Sequence, residues 1–264
     1  MIEGEEQLYK TDLRISVSNT DHPTIKIIGE ADYHNAQAIR DAAKTLIDAK
    51  SYVFTIDVEE LGFIDSSGLS ALLDASKEAR SHDGEVHLLA PSAQLIHVLT
   101  IAGFMSRFSI IPKNGAVVKD EELRLRPSGQ PIWQVTQFDI PSSPEMIAEL
   151  RNKVAEFAGA LPFTNQDIED IKLAVGEAGS NALRYGCPNS TDHVSVRCCL
   201  DGDSLRVQVK DNGPGFDPDA ITTPSIEALD EGGRGIFFMR ILMDEVKFFF
   251  SASGAVVEMV KYTK

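Results

Sequence analysis

A stretch rich in proline, glycine and charged residues divides the sequence near its middle. Residues 113–131 contain an acidic run at 120–122 and a Pro-Ser-Gly sequence from Pro127. Such a mixture is typical of a surface connection between domains. Because a chain of 264 residues is long enough to bury two cores, we predict two domains, 1–112 and 132–264, joined by a linker over 113–131.

The N-terminal part alternates strand and helix signals. Runs of apolar and β-branched residues predict strands at about 24–28 and 52–58, the first ending at Gly29. Between them, apolar residues at helical spacing predict an amphipathic helix over about 36–47. The alternation continues to residue 111 and indicates an open α/β fold with helices packed against a sheet.

Two serines, Ser66 and Ser67, lie where the next helix is predicted to begin. Their hydroxyl groups can cap that helix by accepting a backbone N–H. A phosphate at this place is also compatible with the fold, because free N–H groups and the helix dipole favour negative charge there. The G-x-S-x-G elbow of a serine nucleophile is absent. Capping and phosphorylation both remain open from the local pattern.

The order of these parts resembles the STAS domain, and more narrowly the anti-sigma-factor antagonists of bacterial partner-switching systems. The resemblance covers about residues 10–115 and is carried by three short sequences, Gly29-Glu30-Ala31-Asp32, Ile64-Asp65-Ser66-Ser67-Gly68-Leu69 and Ala102-Gly103-Phe104. It implies a mixed sheet with helices. In that family the serine directly after the aspartate is phosphorylated, which implies that Ser66 is a phosphate acceptor.

In the second domain an acidic residue and an amide lie one helical turn apart. Glu177 and Asn181 are four residues apart in a segment with helical periodicity, so they share one face. The residues alone permit two interpretations. The pair is either solvated, or it supplies oxygen atoms that bind Mg²⁺ or orient a hydroxyl group.

Two glycine-rich stretches follow. Asp211, Gly213 and Gly215 come directly after an alternating strand at 205–210, and this pattern suits either a tight turn or one wall of a pocket. Further along, the glycines at 232, 233 and 235 lead into an apolar helix, whose N-terminal N–H groups can cradle a phosphate. The second stretch matches neither a Walker A loop nor a Rossmann fingerprint.

These three elements, in this order, resemble the N, G1 and G2 boxes of the Bergerat-fold ATPases, which include gyrase, Hsp90, histidine kinases and MutL. Within that superfamily, the residues around 174–182 and 231–246 resemble the anti-sigma-factor serine kinases. The resemblance covers about 133–264 and implies an α/β sandwich with helices layered on one mixed sheet. The whole chain is therefore expected to be a two-domain α/β protein.

The resemblance also implies a role for each matching residue. Glu177 would polarise or deprotonate the attacking serine hydroxyl, Asn181 would hold Mg²⁺ against the triphosphate of ATP, and Asp211 would accept a hydrogen bond from the adenine amino group. Two glycines would shape the adenine side and three would form the phosphate lid: Gly213 and Gly215, and Gly232, Gly233 and Gly235, respectively.

Together these features predict a partner-switching regulator, in which a serine kinase of the anti-sigma-factor type is fused to a phosphorylatable STAS domain. The substrate would be a STAS domain, either its own Ser66 or one on another chain. A sigma factor or another regulator is a further expected partner, and a homodimer is possible for such a chain. An ATP-regulated binding module with little turnover is the alternative. In a third hypothesis the STAS half only docks the kinase to another assembly.

Charge and hydropathy narrow the possible partners and location. The chain has 25 Lys and Arg against 40 Asp and Glu, a net charge of −15, and no basic stripe of the kind that follows a phosphate backbone. We therefore expect no direct contact with nucleic acid. The acidic N-terminus lacks the apolar core of a signal peptide, and no run is long enough to span a membrane. A cytoplasmic protein without membrane contact is expected.

Overall fold

The structure is a computed structural model that describes residues 13–19, 22–112, 132–187, 192–213, 234–251 and 254–263. Within these residues the strands form two five-stranded sheets, one on either side of the predicted linker. The predicted linker over 113–131 lies outside the described residues. Across the part of the chain that is described, no helix is both long and apolar enough to cross a membrane.

The first sheet is mixed. Its strands lie in the order β1-β2-β3-β4-β5, where β1 pairs antiparallel with β2 and the remaining neighbours are parallel. Helices α1 and α2 pack on each other and against this sheet. The elements are β1 (Arg14–Ser18), β2 (Thr24–Ala31), α1 (Ala36–Asp48), β3 (Val53–Ile64), α2 (Ser66–Ser81), β4 (Glu85–Leu89), α3 (Ala93–Ile101) and β5 (Ser109–Ile111).

Two strands of this sheet are longer than the sequence pattern indicates. Strand β2 does not end at Gly29 but continues to Ala31, because Gly29 adopts a φ of 100° and the pairing register shifts beside it. Strand β3 likewise continues to Ile64, in register with the end of β2. Asp65 and the first turn of α2 therefore lie at the carboxyl end of two paired strands.

The second domain layers helices on a sheet whose described pairings are all antiparallel, in the order β6-β7-β8-β10-β9. The expectation that this sheet is mixed was wrong. Two helices connect β6, at one edge of the sheet, to β7, which pairs beside it. Strand β10 lies between β8 and β9. The elements are β6 (Ile132–Pro141), α4 (Met146–Ala158), α5 (Asn165–Asn181), β7 (His193–Gly202), β8 (Ser204–Lys210), α6 (Arg234–Leu242), β9 (Glu245–Ser251) and β10 (Gly254–Tyr262).

Helix α5 is buried on nearly every side over its C-terminal half. It contacts α4, α6 and the sheet, and its remaining side faces the first domain. Its N-terminus is fixed by a capping box, in which the side chains of Thr164 and Asp167 each bond to the other's backbone N–H. Glu177 and Asn181 are therefore carried on a helix that the packing holds in place.

We predict that Gly68→Ala destabilises the protein. A Cβ at this position would lie 2.7 Å from the carbonyl oxygen of Ala31 and 2.8 Å from Cγ1 of Ile64, where α2 touches the ends of β2 and β3. Overpacking of this kind typically costs about 1–3 kcal/mol. The urea midpoint, followed by circular dichroism, should fall. Gly62→Ala is the matched control, because its Cβ would lie 3.6 Å from the nearest atom; equal midpoints for the two variants would contradict the packing argument.

Candidate functional site between the two domains

The first turn of α2 presents Ser66 to the second domain. Asp65, not a serine, caps this helix: its Oδ1 accepts from the N–H groups of Ser67 at 2.8 Å and Gly68 at 2.9 Å. The hypothesis that Ser66 or Ser67 is the N-cap was therefore wrong. The physical reason is that the aspartate already satisfies the free N–H groups, which leaves both groups of Ser66 available for another partner.

That partner is the carboxylate of Glu177. The Ser66 N–H donates to its Oε1 at 2.6 Å, and the Ser66 hydroxyl donates to its Oε2 at 2.8 Å. The two residues are 111 positions apart, and both are buried, with relative exposures of 6% and 3%. The structure thus places the residue expected to accept a phosphate against the residue expected to act as the base.

Burial dominates the electrostatics of this contact. Burial, and after it the nearby carboxylate of Asp65, raises the pKa of the Glu177 carboxyl to about 8 in all. The hydrogen bonds from Ser66 and the positive charge of Arg184 act in the opposite direction. Burial likewise raises the pKa of Asp65, to about 6. A carboxyl group poised near neutrality can accept a proton and release it again in the physiological range.

Arg184 adds a second contact with the start of α2. It lies in a π-helical segment, Ala182–Gly186, that directly continues α5. Its Nη2 donates to the Ser67 hydroxyl at 2.8 Å, and its guanidinium carbon lies 4.4 Å from the centre of the Tyr33 ring. Ser66 and Ser67 are thus held by different side chains of the same helical segment.

Further contacts continue along the same boundary. Arg151 of α4 is paired with Glu30 of β2, and its guanidinium carbon lies 3.6 Å from the centre of the Phe63 ring. A hydrogen bond joins Gln166 to Gln94, and Nε2 of His97 lies 3.5 Å from Oδ1 of Asp170. The buried contact of Ser66 is therefore one part of a boundary that also contains several other polar and charged contacts.

The start of α6 also lies against the carboxylate of Glu177. A Cβ at Gly235 would lie 2.6 Å from Oε2 of Glu177 and 3.4 Å from Nδ2 of Asn181, so only a glycine fits there without displacement. The free N–H groups of a helix N-terminus are well suited to an anion. Glu177, Asn181 and the start of α6 therefore converge on one place.

Asp211 lies at the other end of this site, at the end of β8. Its Oδ1 accepts from the N–H of Gly213 at 2.7 Å, and burial raises the pKa of its carboxyl group. Gly186, which ends the π-helical segment, packs beside it: a Cβ there would lie 2.2 Å from Cγ of Asp211. The segment from Asn181 to Gly186 thus links the two ends of the site.

Glycines pack closely around the Asp211 carboxylate. A Cβ at Gly186 would lie 2.2 Å from Cγ of Asp211, and one at Gly213 would lie 3.1 Å from its Oδ1. No group of three or more His, Cys, Asp or Glu side chains that could hold a metal occurs among the residues described. The side-chain oxygen of Asn181 is of the kind that Mg²⁺ takes, and Mg²⁺ commonly has only one or two protein ligands because phosphate oxygens and water complete its shell.

Of the residues singled out by sequence, Ser66, Glu177, Asn181, Asp211, Gly213 and Gly235 all line this site or its boundary. Gly215, Gly232 and Gly233 lie outside the described residues. Sequence reasoning missed Asp65 as the cap, and it missed both arginines. Arg184 had a signal, since it follows Asn181 by three positions on one helical side, and Arg151 interrupts an apolar stripe between Leu150 and Val154.

Comparison with known families matches each half separately. The family described as "Histidine kinase-like ATPase domain" matches residues 140–261, and the STAS domain matches residues 15–116. The fold and the site thus define a regulator of the partner-switching type, with a STAS domain and a histidine kinase-like ATPase domain in one chain. Both resemblances inferred from the motifs are confirmed.

The ATPase half has close relatives. It is similar to the serine-protein kinase RsbW of Bacillus velezensis, with 39% identity over 135 residues, which is 48% of this chain and 84% of that protein. RsbW of Bacillus subtilis is 36% identical over the same shares. Among solved structures, an anti-sigma factor antagonist from Mycobacterium paratuberculosis is 19% identical over 40% of this chain and 90% of its own length, with a TM-score of 0.36. By the RsbW similarity, the chain belongs to the family of RsbW-type serine-protein kinases.

We predict that the Glu177 carboxyl titrates above its ordinary value of 4.5, near 8. A raised carboxyl pKa means that the docked arrangement favours the protonated form. Between those two values the contact therefore loses stability as the pH rises. Carbon-13 NMR of the labelled carboxyl groups measures this directly. Glu145, whose pKa the hydroxyl of Ser143 lowers, is the internal comparison; a Glu177 midpoint at or below that of Glu145 would contradict the buried contact.

Proposed function

We propose that the ATPase domain, residues 132–264, is a protein serine kinase, and that Ser66 of the STAS domain, residues 1–112, is its substrate. The observation that carries the proposal is the 2.8 Å hydrogen bond from the Ser66 hydroxyl to Oε2 of Glu177. A general base must lie within hydrogen-bond reach of the proton that it removes, and this carboxylate does. The RsbW relatives, which are named serine-protein kinases, support the same activity.

In the proposed reaction the Ser66 oxygen attacks the γ-phosphorus of ATP. A new oxygen–phosphorus bond forms as the bond from the γ-phosphorus to the bridging oxygen breaks, and that electron pair leaves with ADP. Glu177 accepts the hydroxyl proton. Because phosphoryl transfer depends chiefly on positioning and charge neutralisation, the contribution of Glu177 is to hold the hydroxyl in place and take its proton.

The remaining residues bind the nucleotide. Asn181 would hold Mg²⁺, which neutralises negative charge on the triphosphate when bound. Asp211 would accept from the adenine amino group beside Gly213. The start of α6 at Gly235 would face the phosphates. Gly215 would act with Gly213 beside the adenine, and Gly232 and Gly233 would act with Gly235 beside the phosphates. The close packing of Gly186 and Gly213 beside Asp211, and of Gly235 beside Glu177 and Asn181, supports these assignments.

The partners follow from the substrate. A STAS domain is recognised at the boundary that contains Ser66, either within the chain or on another copy. A sigma factor or another regulator is the proposed output partner, and a homodimer is the proposed route to transfer between copies. Use of ATP for protein phosphorylation fits signalling in the cytoplasm, with Ser66 as the modified residue.

A binding module without turnover explains the site less well. ATP-controlled docking would need the nucleotide pocket and the boundary, but not a carboxylate buried against a serine hydroxyl. Burying such a group is costly unless it is paired. The position of Glu177 therefore favours the enzyme over the module.

We expect the purified protein to label itself at Ser66 when incubated with labelled ATP and Mg²⁺. Ser66→Ala should remove the label, and Glu177→Gln should slow labelling by about 10²-fold or more, because the amide cannot accept the proton. Ser81→Ala, at the other end of α2, is the matched control and should label normally. A first-order rate constant that is independent of protein concentration indicates transfer within one chain. Unchanged labelling of Ser66→Ala would overturn the assignment of the acceptor.

Nucleotide binding can be tested apart from transfer. We expect Asp211→Asn to weaken binding of ADP with Mg²⁺ by roughly 10- to 100-fold, since hydrogen bonds to charged groups contribute about 1.5–3 kcal/mol. The preference for ADP over GDP should also narrow. Isothermal titration calorimetry measures both, with Asp203→Asn in the turn between β7 and β8 as the control. Equal affinities for the Asp211 and Asp203 variants would remove Asp211 from the adenine site.

A further inference from the structure

We propose that Arg184 is a positioning residue that selects Ser66, rather than the neighbouring Ser67, as the phosphate acceptor. The inference rests on the proposed function, because it concerns which of two hydroxyl groups reaches Glu177. It adds a specificity determinant that lies outside the three nucleotide-binding motifs.

The two serines are adjacent, but their hydroxyl groups point to different partners. The Ser66 hydroxyl donates to Glu177, whereas the Ser67 hydroxyl accepts from Nη2 of Arg184 at 2.8 Å. Successive residues of an α-helix project about 100° apart around the axis, so only one of the two can face Glu177 in a given orientation of α2. Because α2 is fixed within the first domain, the orientation in which that domain meets the second therefore decides the acceptor.

Arg184 is placed to fix that orientation. It follows Glu177 by seven residues, two helical turns, and both side chains reach the first turn of α2. Contact by Glu177 alone would hold the first domain at a single residue of α2. A second contact, on the next residue of α2, defines how the two domains are oriented at this point.

Arg184 also contacts a residue outside α2. Its guanidinium also stacks on the ring of Tyr33, in the turn between β2 and α1. Asp65 joins the same parts, since its Oδ2 accepts from the Tyr33 N–H at 2.9 Å while its Oδ1 accepts from the Ser67 N–H. Arg184 thus holds a unit that Asp65 has already made rigid, and a planar, multiply donating guanidinium suits both the stacking and the hydrogen bond.

The test compares the site and rate of labelling in full-length variants. Arg184→Ala should slow labelling of Ser66 by about tenfold or more, because misplacement of a reacting group is costly, and should raise the share of label on Ser67, read by mass spectrometry of peptides. Arg184→Lys keeps the charge but not the planar fork, so it should recover part of the rate and of the preference for Ser66. Arg206→Ala, which removes an arginine paired with Glu258 on the second sheet, is the control.

A sharper version uses Ser66→Ala as the background. That variant should carry no label, and adding Arg184→Ala should restore label on Ser67, whereas adding Arg206→Ala should not. Circular dichroism and ADP binding show that each variant is folded. Absence of Ser67 labelling in every Arg184→Ala variant, with ADP binding intact, would overturn the role of Arg184 while leaving the kinase assignment in place. Absence of label on the wild-type protein would instead remove the proposed function itself.

Discussion

The arrangement of the two domains depends on one buried carboxylate. Glu177 has almost no solvent exposure, and a buried carboxyl group is tolerated only when hydrogen bonds or charges compensate for its lost hydration. Ser66 supplies two hydrogen bonds from the first domain, through its N–H and its hydroxyl. The acidic neighbour Asp65 opposes ionisation, and Arg184 favours it. The pKa of the Glu177 carboxyl therefore lies close to neutral pH, as a proton acceptor at this position requires.

Helix α5 transmits this constraint to the rest of the second domain. Small residues line its crowded sides: a Cβ at Gly176 would lie 3.1 Å from Cδ of Arg151, and one at Gly179 would lie 2.6 Å from Cδ2 of Leu150. These glycines let α4 approach closely, which brings Arg151 to the boundary with Phe63. The same helix continues into the π-helical segment that carries Arg184 and ends beside Asp211. One continuous helical segment thus connects the proposed acceptor serine, the proposed base and the proposed adenine site.

Local patterns predicted much of this structure, and the missing parts are those set by distant residues. Helical periodicity located α1 and the part of α5 that carries Glu177 and Asn181, because each depends on residues within a few positions. The expectation of a mixed second sheet failed because strand order is decided by where β10 inserts, which no local pattern records. Spaced motifs indicated that Ser66, Glu177 and Asp211 matter. The sequence left open whether Glu177 meets Ser66 of the same chain, 111 residues away, or a serine of another chain, since that depends on how two folded surfaces meet.

Because the two domains of the proposed kinase are covalently connected, docking of its own STAS domain is an intramolecular event. A tethered partner commonly has an effective concentration on the order of millimolar, well above that of most free regulators. The STAS domain of the chain therefore competes strongly with any separate STAS protein for the face formed by Arg151, Glu177 and Arg184. A separate substrate gains access only when this face is vacated, and adding a phosphate to Ser66 places about two negative charges against Glu177 and Asp65. Under the proposed function, occupancy of the face, rather than affinity for a free partner, would be the quantity that the chain regulates.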